Sequence, residues 1–301
     1  MKILLTLNKT YRGHDDLGYW YTYIPLKELG HDVIWYDTAQ SDQTCYSKII
    51  ESFKPDLIWC CLTGDRSITP SEPWEEIYHE TQSGRTKTFN WFCDDMWRFE
   101  SFSQYACFNF FAASTPEPKC ISWFKNIGYS NILLGQWYAN GDFYPKIPFS
   151  EREMDIAFIG RPSGRRYQFL ISTGLPIKMS TGKLSVEQIF SSHADTQFSI
   201  NLSTNDNDPL NRTQMKLRPF EVTAAGGVLL TQYHPGIENC FELDKEIISF
   251  ESVSELRLKA QYLMKNPDIA MKIAAAGHQR FKRDHTSHIR LAKILKQIEE
   301  L

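Results

Sequence analysis

Short, wholly apolar runs rich in β-branched and aromatic residues recur along the chain, each followed by enough sequence for a helix. Ile3 to Leu7, Val33-Ile34-Trp35-Tyr36 and Leu57-Ile58-Trp59-Cys60-Cys61-Leu62 read as buried strands. The first leads into a loop through Gly13 and Gly18. A helix from about Leu17 to Leu29 then ends at Gly30, and another near Tyr46 to Phe53 stops before Pro55. Strands separated by helices imply a parallel, doubly wound α/β sheet with ligands at the carboxyl ends of its strands. No Gly-x-Gly-x-x-Gly turn follows the first strand, so a dinucleotide cofactor such as NAD is a poor expectation.

The pattern restarts in the second half. Met154 to Ile159, Ile177 to Ser180, Gln197 to Leu202, Val228 to Leu230 and Glu246 to Phe250 read as strands. Helices are expected from Tyr167 to Thr173 and Val186 to Ser192, then behind a Ser254 cap to Lys265, from Pro267, and from His288 to the end. Between the halves, residues 135–152 carry Gly135, Gly141, Pro145 and Pro148, and prolines disfavour both helix and central strand. A boundary near 150 follows, giving domains 1–150 and 151–301, since 301 residues exceed one comfortable core.

Charge argues against a polyanionic partner. The net charge is −3, with 12 Lys+Arg against 18 Asp+Glu in residues 1–145 and 21 against 18 in the rest. The seven cysteines form no Cys-x-x-Cys pair and suggest neither disulfide framework nor zinc site, so they read as mostly buried thiols of a cytoplasmic protein. No apolar run reaches the length of a membrane span.

The densest stretch is Gln214 to Thr231: two cations, a carboxylate, a short helix, a Gly226-Gly227 stop and an apolar strand. Lys216 and Arg218 fall at the start of that helix, where the dipole is positive and N–H groups lack partners, a combination that attracts phosphate. Glu221 lies one turn further in. An amphipathic helix with its cations in water is the competing reading.

Arg218-x-Phe220-Glu221-x-x-Ala224-x-Gly226-Gly227-x-Leu229-Leu230-Thr231, followed by Gly236-Ile237-Glu238, resembles the nucleotide-sugar motif of GT-B glycosyltransferases. It is most similar to the spore-maturation-protein-B-like branch, related to the Glu-x7-Glu family. The resemblance implies two Rossmann-like domains facing across a cleft, with the donor held by the C-terminal one. It further implies that Glu221, with Phe220 beside it in the motif, holds the donor ribose and that the preceding cations face the diphosphate. Where the related family has its first glutamate this chain has Thr213, which leaves retention or inversion open.

Two further segments carry candidate chemistry. The run Thr88 to Phe92 leads straight into Cys93-Asp94-Asp95, placing two acids at a strand end. Either could act on an acceptor hydroxyl as base or hydrogen-bond partner, or one could cap the next helix and the other pair with Arg98. Adjacent aspartates lack the spacing of a metal-binding Asp-x-Asp, and no metal is expected. Downstream of Met154 to Ile159, the loop Gly160-Arg161-Pro162-Ser163-Gly164-Arg165-Arg166 can cradle an anion, with Gly160, Arg161 and Arg166 preferred over Arg165, or be a solvated basic turn.

Together these features predict metal-independent transfer of a hexosyl or pentosyl group from a nucleotide-diphosphate sugar. That co-substrate is the only small-molecule requirement expected, with no separate cofactor. The catalytic candidates are Asp94, Asp95 and Arg218, with donor contacts from Gly160, Arg161, Arg166, Lys216, Phe220 and Glu221. The acceptor is expected to be a glycan, protein or small molecule, with DNA disfavoured by the acidic balance. An epimerase or hydrolase on the same fold, or a non-catalytic nucleotide or glycan binder, are the alternatives.

Overall fold

The computed structural model describes residues 1–11, 14–40, 45–180 and 184–301. Gly13 lies outside the described residues. The chain divides into two compact units, one of residues 1–136 and 287–301, the other of residues 137–286.

The first unit is built on a six-stranded sheet, all of whose pairings are parallel. Its strands are β1 (Lys2–Leu7), β2 (Asp32–Asp37), β3 (Leu57–Cys60), β4 (Lys87–Trp91), β5 (Ala112–Thr115) and β6 (Ile132–Leu134), in the order β2-β1-β3-β4-β5-β6. Leu5 sits between Trp35 and Trp59 in register. Ile3, Leu4 and Leu5 are fully buried, as central strands covered on both faces must be. The segment after β1 enters as a π-helical turn, Tyr19–Tyr23, before the α-helix Ile24–Glu28, and Gly30 follows at a φ of 85°.

The expected boundary near 150 moves to 136/137, and the last helix does not belong with the second unit. Ser287–Glu300 buries Leu291, Ile294, Leu295 and Ile298, whose spacing makes one helical stripe. Each such side chain contributes about 1.5–3 kcal/mol when buried. Lys87 Nζ donates to the Ile298 carbonyl at 2.8 Å, tying that helix to β4. Proline content alone could not show this, because the prolines mark loop structure rather than which sheet a later helix covers.

The second unit carries a five-stranded parallel sheet of β7 (Glu153–Phe158), β8 (Ile177–Met179), β9 (Thr196–Asn201), β10 (Val228–Gln232) and β11 (Ile248–Phe250), in the order β8-β7-β9-β10-β11. Phe158, Phe198, Leu230 and Phe250 fill one side of its core. Between β9 and β10 the helix Arg218–Ala225 ends at Gly226, whose φ of 75° is the left-handed cap that glycine adopts without steric cost. The helix Val253–Lys265 is capped by Ser252 rather than Ser254: Ser252 Oγ accepts from the Glu255 N–H at 3.2 Å.

Candidate functional site

Three parallel strands of the second unit, β7, β9 and β10, end on the same side as the start of the Arg218–Ala225 helix. Beyond these carboxyl ends lie Ile159-Gly160-Arg161, Leu202-Ser203 and Tyr233-His234, and the half-buried side chain of Arg218 joins them. Arg218 Nε donates to the Ile159 carbonyl at 2.8 Å and Nη1 to Asn201 Oδ1 at 3.3 Å. Its guanidinium stacks on the Phe158 ring at 4.7 Å. Two of the five guanidinium N–H donors are used in these bonds. Burial pulls the Arg218 pKa down to about 10; the Glu221 carboxylate raises it and Arg166 lowers it. The group stays charged at neutral pH in a place that disfavours charge, and an arriving anion relieves that cost.

Gly160 makes room for this guanidinium. A Cβ at Gly160 would collide with Arg218 Nη2, and its φ is 155°. Ser180 fixes the turn from both sides, with its Oγ accepting from the Gly160 N–H at 2.9 Å and donating to the Gly160 carbonyl at 2.6 Å.

The helix start itself offers less than its sequence suggested. Pro219 has no N–H, and the amides of Phe220 and Glu221 both donate to the Leu217 carbonyl, at 2.9 and 3.3 Å. The side chains of Arg218 and half-buried Lys216, more than free backbone donors, supply the positive charge. Phe220 is fully buried against Phe241 and His285, so its ring packs behind the helix instead of presenting a surface.

Glu221 is 7% exposed and faces His193, whose Nε2 is 3.8 Å from Glu221 Oε2. Burial, then the nearby Arg218 charge, drives the His193 pKa down to about 3. The imidazole is therefore neutral, and the contact is not an ion pair despite its length falling in that range. Neither His193 nitrogen has a hydrogen-bond partner among the described residues.

The arginines of the loop after β7 divide their work. Arg161 is exposed, with no hydrogen bond or ion pair to the described residues. Arg165 donates to the carbonyls of Asn205, Asp206 and Asp208, and Arg166 donates to Thr204 through Nε and Nη2 at 3.2 and 2.8 Å. These bonds pin the polar segment 203–209, which also holds the fully buried Asp208 paired with Arg212 at 3.0 Å. Thr213, at the position of the absent glutamate, has its Oγ1 3.1 Å from His234 Nδ1.

His193, His234, Asn201 and Ser180 were not singled out from the sequence. Asn201 alone left a trace there, as a polar residue closing an otherwise apolar strand. Three other histidines have partners within the fold: His278 Nδ1 lies 2.9 Å from the Thr223 carbonyl, His285 Nε2 2.9 Å from that of Cys240, and His288 Nε2 2.7 Å from Glu28 Oε2.

In the first unit, Asp94 and Asp95 follow β4 and differ sharply. Asp95 is fully buried. Desolvation raises its pKa to about 7; the Ser103 and Thr115 hydroxyls lower it, while Asp94 and Glu117 raise it further. Neither Asp95 oxygen has a hydrogen bond of full geometry, so those hydroxyls act at longer range. Asp94 is half-buried and lines a cavity of about 40 Å³ with Cys61, Thr63, Trp91 and Arg98. Arg98 donates to the Thr63 carbonyl and stacks on Phe102 at 4.3 Å, so it is not built as the partner of either acid. Cys61 and Cys93 place their sulfurs 3.8 Å apart as free thiols. Among the described residues no group of three or more His, Cys, Asp or Glu side chains is gathered for a metal ion, and no helix is long and apolar enough to cross a membrane.

Residues 150–296 match the family model described as glycosyl transferase-like. No curated protein matches the sequence. Among solved structures, sucrose-phosphate synthase from Thermosynechococcus elongatus is similar over 100% of this chain and 99% of its own, with a TM-score of 0.67 at 10% identity. Anabaena HepE in complex with UDP covers 100% of both chains at a TM-score of 0.65 and 11% identity. The fold is GT-B. An α-glucosyltransferase in complex with UDP-glucose and DNA containing an abasic site shares this GT-B fold over 99% of both chains, at a TM-score of 0.65 and 11% identity.

Proposed function

We propose that this GT-B protein is a glycosyltransferase that moves a sugar from a nucleotide-diphosphate donor to an acceptor hydroxyl, with the donor bound by residues 137–286. The observation that carries the reading is the half-buried, charged Arg218 at the strand ends, stacked on Phe158 and packed against Gly160, with Glu221 one turn away. The match of residues 150–296 to a glycosyl transferase-like model and the UDP-bound structures of the same fold support it. The motif from Arg218 to Thr231 favours the spore-maturation-protein-B-like branch within that fold.

In this account the bond between the anomeric carbon and the diphosphate breaks as the acceptor oxygen bonds to that carbon. Arg218, Lys216 and Arg161 stabilise the charge gathering on the departing diphosphate, so no metal is needed for that role. Glu221 accepts hydrogen bonds from the ribose hydroxyls. Arg166, bonded to Thr204, holds the adjacent loop and adds positive potential. Of the two aspartates, Asp94 is assigned to the acceptor hydroxyl, whose proton its carboxylate takes as the new bond forms, and Asp95, which is fully buried, to shaping that turn. The acidic balance of residues 1–145 favours an uncharged acceptor over DNA.

Incubating the protein with nucleotide-sugars, with and without a pooled acceptor preparation, tests the proposal. Release of nucleoside diphosphate that depends on acceptor supports transfer. Release or sugar conversion without acceptor points to a hydrolase or epimerase and overturns it, and donor binding without any turnover points to a binding protein.

A further inference from the structure

Two half-buried thiols meet at the ends of neighbouring strands in the first unit. Cys61 follows β3 directly and Cys93 lies two residues past β4, and these strands pair in parallel with Cys60 opposite Asn90. Their sulfurs are 3.8 Å apart although 32 residues separate them in sequence. The backbone on either side is tied down. Asn90 Oδ1 accepts from the Leu62 N–H at 2.8 Å, and the Phe92 N–H donates to the Ser114 carbonyl at 2.9 Å. The sheet therefore sets the sulfur contact, and a closure of about 1.8 Å brings it to the disulfide distance of about 2.0 Å.

Both side chains line the cavity of about 40 Å³ that they share with Asp94 and Arg98. That space suits a solute of the size of water rather than one of the size of glutathione disulfide. Among the described residues no third His, Cys, Asp or Glu is gathered with them, so the tetrahedral set of a zinc site is not formed. The pair is not symmetric. Contact with Cys61, then burial, pushes the Cys93 thiol well above its ordinary range, and the Asp94 and Asp95 charges add to it. Cys93 therefore keeps its proton, and its S–H can donate to Cys61 Sγ. That bond and the Arg98 guanidinium on the cavity wall favour a thiolate at Cys61, against the opposing charge of Asp94. We propose that Cys61 and Cys93 form a peroxide-reactive modification site, with Cys61 as the attacking thiol and Cys93 as the resolving one. The Cys61 thiolate attacks one oxygen of hydrogen peroxide, the O–O bond breaks, and the departing hydroxide regains from solvent the proton that Cys61 released. Cys93 Sγ then bonds to the sulfenic sulfur of Cys61 while the S–O bond breaks, and the leaving hydroxide takes the Cys93 proton. Two thiols lose two electrons in all, and one peroxide becomes two waters. Because Asp94 directly follows Cys93, the new bond also draws on the turn that holds Asp94. A bearing on the acceptor side rests on the transferase reading; the modification site does not.

Mass-spectrometric mapping of the intact chain after peroxide treatment and alkylation of the remaining thiols tests it, with oxidised glutathione as a second arm. Peroxide is expected to yield a peptide linked through Cys61 and Cys93, and dithiothreitol to restore both thiols. Exposed Cys45 is the internal reference, and Cys61 reacts at least tenfold faster than it does. Cys93→Ser leaves Cys61 as a sulfenic acid that dimedone traps, whereas Cys61→Ser leaves Cys93 a thiol under the same treatment. Circular dichroism verifies the fold of both variants, and the wild-type mapping decides the question even where a variant misfolds. Cys61 and Cys93 still reduced when Cys45 is oxidised, a link from either to another cysteine, or dimedone capture at Cys93 instead of Cys61 overturns the proposal. Faster reaction with oxidised glutathione than with peroxide overturns it as well. A linked protein that turns over no nucleotide-sugar in either redox state leaves the site standing and removes the transferase reading instead.

Discussion

The guanidinium of Arg218 occupies the space that a side chain on Gly160 would need. The two residues are far apart in sequence and come together because β7 and the Arg218–Ala225 helix end and begin at the same edge of one sheet. Arg218 is thereby held by the Ile159 carbonyl, Asn201 and Phe158 before any ligand arrives, which is preorganisation in the sense that matters for developing charge.

Gly160→Ala is therefore expected to act on Arg218. The added methyl displaces the guanidinium or strains the turn, at a cost of about 1–3 kcal/mol. Arg218→Ala alone lowers kcat by about 10²–10³-fold. In a double-mutant cycle read by turnover, the Gly160 change adds little once Arg218 is gone. Full additivity of the two effects contradicts the coupling.

Glu221→Ala is expected to weaken donor binding by about 10–100-fold, the loss of one to two hydrogen bonds to a charged acceptor. Titration of the donor measures it, and the loss falls on affinity more than on kcat. Unchanged donor affinity removes Glu221 from the ribose.

Asp95 supplies a pH signature in stability. Its pKa rises from 3.8 to about 7 on folding, so between those values the folded state retains a proton that the unfolded state has released. That contribution is complete below pH 3.8 and lost as pH rises through 7, a swing of about 4 kcal/mol for roughly three units. Asp95→Asn removes the swing. The variant's melting temperature should gain on the wild type from pH 5 to about pH 7 and level off above it, and parallel curves across that range contradict the burial of a carboxyl at that position.

Much of this arrangement was legible from local pattern. Apolar runs such as Ile3 to Leu7 and Val228 to Leu230 give parallel strands because only a sheet covered on both faces buries such runs. Gly226 stops its helix because the cap needs a positive φ. What escaped the sequence is pairing at a distance. His193 reaches Glu221 from a neighbouring helix, His234 meets Thr213 across two loops, and Ser287–Glu300 joins the first unit although it follows the second in sequence. Local propensity encodes none of these. The phosphate reading of the helix start likewise relied on free amides that Pro219 and the Leu217 carbonyl remove.

The most direct measurement is a thermal-shift comparison of wild type and Arg218→Ala with UDP-, GDP-, ADP- and dTDP-linked sugars, with NAD and ATP as controls. A ligand that binds only the folded state raises the melting temperature according to its affinity and concentration. The account predicts that one nucleotide-sugar class stabilises the wild type and that Arg218→Ala abolishes most of the shift. No shift with any nucleotide-sugar at millimolar concentration, or an equal shift in the variant, contradicts it.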